Sequence, residues 1–151
     1  MGRDHNGELT PDDIVLDQIR GDAIAEAWPF MAPWFASACR RVPTHLTPEL
    51  ILYRATTKQS DLWACYRKAK PLPLLAAAST CLRDGPNGQV CTIECLGGHD
   101  VTKWGRRLLE EFEAMARQNG VAEVEIEGRL GWARYLPDYE RRRIVLGKRL
   151  T

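Results

Sequence analysis

The residues with the clearest chemical potential lie in LGGHDVTKWGRRLLEEF, Leu96 to Phe112. An apolar run ends in Gly97 and Gly98, and a helix-like stretch with Gly105, Arg106 and Arg107 follows. Glycine at a strand-to-helix junction lets backbone N–H groups approach a phosphate, and the helix N-terminus adds its positive dipole end. Lys103, Arg106 and Arg107 add cations, but Asp100 puts a carboxylate among them, and the glycine spacing fits no common phosphate-loop motif. The competing reading is structural: a tight turn at Gly97-Gly98, Asp100 capping the helix, and Trp104 in the core. Five cysteines (Cys39, Cys65, Cys81, Cys91, Cys95) contain no CxxC pair, and His5, His45 and His99 are scattered. These are expected to be buried free thiols, with no metal site.

The elements that must position this stretch follow from periodicity. Residues 1–12 read as a polar arm, and 13–151 as a single domain. A short β-branched run at 13–19 is expected as a strand. A helix follows, with Asp22 at its cap, and Pro29 and Pro33 are expected to break or kink it. Thr47, Pro48 and Glu49 mark a second helix start. Alternation over 61–67, an apolar run from Pro71 to Arg83, the turn DGPNG at 84–88 and a run over 89–98 predict an antiparallel meander. Trp104, Leu108, Phe112 and Met115 form one helical stripe over 101–119, ended by Asn119-Gly120. A strand at 121–128, a short helix in RLGWARYL and a last strand at 141–150 complete an order β-α-α-β-β-β-α-β-α-β. The class is α/β (α+β), built on one mixed central sheet.

This order and texture resemble the GNAT fold, the Gcn5-related N-acetyltransferases. DQIRGDAIAEAW is similar to the family's opening strand and first helix, and VAEVEIEGRLGWARYL…RRRIVLGKRL to its closing half. The resemblance implies a strand that splays from its neighbour and offers backbone groups to a pantetheine arm, then a Gln/Arg-x-x-Gly-x-Gly/Ala loop for the CoA pyrophosphate. Laid on that pattern, Gly105 takes the last glycine, Lys103 stands where a glycine is usual, and Asp100 stands where Gln or Arg is usual. If CoA is bound, the implied contacts are Leu96, Gly97, Gly98, Lys103, Gly105 and Arg106. If the chain is an enzyme, Tyr139 is the candidate acid for the departing thiolate and Glu94 the candidate base. The family's tyrosine position itself falls on Leu136 or Pro137, and its Gly-Phe is missing.

EGRLGWARYL also resembles GNAT-like proteins of tailed bacteriophages, some of them virion components. Two expectations follow. In the first, the chain has lost acetyl-CoA catalysis, needs no cofactor and acts as a structural or interaction component, as in a tailed-phage virion. In the alternative, it is an acetyl-CoA-dependent N-acetyltransferase with a divergent pyrophosphate loop. Protein partners are expected at Trp28, Phe30, Trp34 and Phe35 and at the polar arm, since WPFMAPWF is apolar on many sides. The net charge of +1 and the acidic neighbours of the basic tail disfavour nucleic acid, and no apolar run suits a membrane span. The arm has no signal-peptide core. The expected location is the cytoplasm, or a phage virion assembled in the bacterial cytoplasm.

Overall fold

The computed structural model describes residues 13–41, 45–128, 132–143 and 146–150, with the backbone alone over 101–104. The polar arm expected over 1–12 lies outside the described residues. The element order is β1 (Ile14–Ile19), α1 (Ala23–Arg41), α2 (Pro48–Thr56), β2 (Asp61–Arg67), β3 (Ala76–Gly85), β4 (Gly88–Gly98), α3 (Val101–Gln118), β5 (Glu123–Ile126) and α4 (Trp132–Tyr135). The sheet runs β1-β2-β3-β4-β5: the first four strands are antiparallel neighbours, and β5 joins β4 in parallel. This is the mixed α/β sheet expected from the sequence.

Each face of the sheet carries its own core. On one side Ile93 and Ala78 meet Leu108, Leu109 and Phe112 of α3, with Leu136 after α4. On the other, Leu62, Ala64 and Ala77 meet Met31 and Phe35 of α1 and Ile51 and Ala55 of α2. Alanines 76 to 78 on β3 are at most 2% exposed and let both layers sit close to the central strand. Trp63 donates its indole N–H to Thr80 Oγ1 at 2.8 Å and sets its ring edge-on to Phe112, so its polar atom is satisfied inside the sheet.

Several expectations are corrected. Pro29 and Pro33 lie inside one continuous α1. The carbonyls that lose their helical donor belong to Ala25 and Pro29, both exposed, so water can satisfy them while the burial of Ile24, Met31 and Phe35 holds the helix. Phe35 is thus fully buried and stacks on Trp28 at 5.6 Å, and Phe30, 49% exposed, is the member of the expected partner cluster left at the surface. The last strand is not formed by 141–143 or 146–150, and Ile144 and Val145 lie outside the described residues. Instead, arginines of that segment bond side chains on and just after β5. The second helix start is as expected: Thr47 Oγ1 accepts from the Leu50 N–H at 3.1 Å, with Pro48 in the first turn. The described cysteines are free thiols, and burial pushes Cys65 up to about 12. Among the described residues, no helix is long and apolar enough to cross a membrane.

Candidate functional site

The site begins with a fault in strand pairing. Ser79 lies opposite Cys95, but Thr80 lies opposite Ile93, so Glu94 has no partner on β3. It is the extra residue of a β-bulge. Below it, Ile93 packs in the α3-side core. Above it, Cys95 belongs to the α1/α2-side core and Leu96 to the α3 side. Glu94 and Cys95 therefore face the same side, and the alternation of β4 is inverted from there on.

The bulge sits where β5 departs. Pairing between β4 and β5 ends at Ile93 opposite Ile126, followed by one bond from the Glu127 N–H to Ile93 O at 3.0 Å. Among the described residues, β4 from Glu94 to Gly98 has only β3 beside it. The His99 N–H donates to Leu75 O at 2.9 Å, and Gly97 stands opposite Ala77 two residues earlier. In an antiparallel ladder alternate pairs exchange bonds, so the peptide groups of Leu96 and Gly98 point away from β3 into the gap. An open cleft of 1440 Å³ occupies it, lined by Glu94, Leu96, Gly98, Ile126, Trp132 and Tyr139 among others.

Gly97 has a different task from the one its position suggests. It belongs to β4 and not to a turn, and a Cβ there would lie 2.1 Å from the Trp34 carbonyl oxygen of α1. The glycine lets a helix backbone rest directly on the strand. Only His99 and Asp100 separate β4 from α3. Asp100 occupies the cap position in a left-handed conformation, φ 51°, and its side chain makes no cap hydrogen bond, contrary to expectation. Its carboxylate instead lies 3.2 Å from His99 Nε2.

No family model and no curated protein matches this chain. Solved structures do. A probable acetyltransferase superposes with a TM-score of 0.64 at 15% identity, over 91% of this chain and 95% of that one. A GNAT family acetyltransferase from Staphylococcus aureus gives 0.63 at 12%, over 91% and 99%. A predicted acetyltransferase from Clostridium acetobutylicum, solved with acetyl-CoA, gives 0.56 at 8%, over 91% and 96%. The chain has the GNAT fold.

In this GNAT frame the sequence-derived residues separate. Leu96, Gly97 and Gly98 line the cleft. Gly105 does not begin α3, which starts four residues earlier, and is buried in its second turn. The side chains of Lys103 and Trp104 lie outside the described residues. Arg106 grips Asp138 with two bonds of 3.1 and 3.3 Å and lies 3.8 Å from Glu110, while Arg107 pairs with Glu111. The hydrogen bond between them holds the Asp138 carboxyl below its ordinary value and raises Arg106.

Glu94 and Tyr139 line the cleft from opposite faces of the sheet. The Glu94 side chain is 10% exposed. Arg54 Nη1 of α2 lies 3.2 Å from its Oε1 and 3.0 Å from its Oε2, and Cys81 Sγ donates to Oε1 at 3.3 Å. Burial, together with this carboxylate, pushes the Cys81 thiol up to about 11. Tyr139 packs on the α3-side core, its N–H bonded to Leu136 O at 3.0 Å. Its buried hydroxyl has no hydrogen-bond partner among the described residues. Burial, with Glu113 and Asp138 nearby, lifts its pKa to about 12, so it stays a proton donor at neutral pH. Sequence reasoning missed Arg54, Cys81, Trp34 and Asp138. Each reaches the site from another element, and no local pattern marks it.

Proposed function

We propose that this chain binds acetyl-CoA in the gap between β4 and β5 and is a GNAT-type N-acetyltransferase with a divergent pyrophosphate loop. The observation that carries this reading is the interrupted strand: Leu96 and Gly98 turn peptide groups that have no strand partner among the described residues into an open cleft. An unpaired strand edge is a template for an added strand, and an extended amide-bearing arm pairs with it as a missing strand would. Acetyl-CoA would contribute that arm and an acyl thioester. Tyr139 is the proposed donor to the leaving thiolate. Glu94 is the proposed acceptor of the amine's proton, and Arg54 holds its carboxylate in place at 3.0 Å.

The phosphate end supports a second reading, a GNAT-like interaction component that has lost catalysis. Asp100 stands at the head of α3, and Arg106 and Arg107 are engaged by carboxylates. The phage-virion version of this reading rests on EGRLGWARYL, of which residues 129–131 lie outside the described residues. Exposed Phe30 is then the proposed contact for a protein partner.

Calorimetry with acetyl-CoA tests the choice. The first reading expects micromolar binding, with 3′,5′-ADP, which lacks the pantetheine arm, at least about tenfold weaker. Absence of heat at millimolar acetyl-CoA would overturn it and leave the interaction reading.

A further inference from the structure

The segment after α4 carries a feature that the acetyl-transfer reading does not use. Glu123, Glu125 and Glu127 occur at every second position along and just beyond β5. Val124 and Ile126 between them pack on the α3-side core, so the three carboxylates face the α1/α2 side. Each is met by an arginine from 142–143. Arg142 Nη1 lies 2.7 Å from Glu123 and 3.4 Å from Glu125, and Arg143 Nη2 lies 3.0 Å from Glu127. Glu140 adds a contact to Arg142 at 3.4 Å. Residues 140–143 line the cleft. They read Glu-Arg-Arg-Arg, so they have no apolar side chain to bury, and among the described residues they take no part in a backbone hydrogen bond. Arg142 and Arg143 are 40% and 51% exposed, within reach of screening ions.

We propose that residues 140–143 form a strap over the β5 side of the cleft, held closed by charge and released as ionic strength rises. Pairs of this exposure are weak singly, and salt removes them together. The carboxylate row survives release, because Glu125 is also held by Arg83 and by the Thr92 hydroxyl, at 3.1 Å from the latter. The strap therefore opens without unravelling β5. The inference rests on the cleft's geometry and stands whether or not acetyl-CoA binds.

The test is backbone 15N relaxation of the full chain between about 0.01 M and about 1 M KCl, where the screening length shrinks from about 30 to about 3 Å. At low salt, order parameters for 140–143 should match the sheet, about 0.85, and fall below about 0.6 at high salt. Arg142→Gln/Arg143→Gln should be mobile at both salts. The milder Glu127→Gln should shift the transition to lower salt and serves if the double variant does not fold. Order parameters that stay high across the titration, or that do not respond to the substitutions, would overturn the strap.

Discussion

Strand β4 has two seams, built on different physics. Against β3 it pairs along nearly its whole length, from Gly85 opposite Gly88 to Ala76 opposite Gly98, with apolar layers on both faces. Against β5 it pairs only from Val90 to Ile93, and beyond that come a gap and a fringe of ion pairs. Apolar burial is cumulative and insensitive to salt; exposed ion pairs are individually small and screened. The β3 seam thus fixes where the cleft is, and the β5 seam leaves its wall free to move.

The most damaging substitution should strike the rigid seam. Gly97→Val places side-chain atoms where the Trp34 carbonyl lies and should cost roughly 3 kcal/mol or more, read by urea unfolding. A variant as stable as the parent would show that α1 does not rest on β4. Next is Arg54→Met, which strands the Glu94 carboxylate, nine-tenths buried, without its counter-charge. A loss of about 2–4 kcal/mol is expected, most of it recovered when Glu94→Gln is added; a double variant no better than the single would deny the coupling.

On the side of the mobile seam the effects shrink. The Tyr139 hydroxyl has its pKa raised from about 10 to about 12, so its burial stabilises the fold fully below the lower value. That contribution is lost as pH rises through the upper one, by of the order of 1 kcal/mol after allowance for partial exposure. Thermal unfolding at pH 9 and pH 11.5 should therefore diverge more in the parent than in Tyr139→Phe; equal slopes would mean the phenol is already solvated. The smallest effect belongs to Arg142→Gln. Its hydrogen bond holds the Glu123 carboxyl below the ordinary value, a contribution present above the ordinary range and lost as pH falls through the lowered one. The substitution should move the Glu123 titration up, seen by carboxyl NMR, and barely change the unfolding midpoint.

What was legible in the sequence follows the same division. Alternation over 61–67, the turn at 84–88, the Thr47-Pro48 start and the Leu108–Phe112–Met115 stripe are local patterns, and the elements lie where they point. The bulge left no such mark. Ile93, Glu94 and Cys95 read as unbroken alternation, because whether a residue is surplus depends on the strand beside it. Asp100 has the side chain of a cap, yet its backbone takes the left-handed turn that joins β4 to α3. Gly97 looked like a phosphate residue because nothing nearby shows that Trp34 lies over it. The basic tail reads as a strand by composition, but its arginines find the β5 carboxylates first.

The surplus residue at Glu94 makes β4 behave like text with a frameshift. Every side chain after it is assigned to a face by the count of residues before it. Deleting Glu94 itself would only close the bulge, but inserting one residue after Cys95 would send Leu96 against the Trp34 backbone and turn Gly97 toward α3. An insertion after Cys95 paired with a deletion at 98 should keep the overall length and still lose the fold. Length-preserving exchange between this strand and a related one is therefore safe only if the surplus residue travels with it.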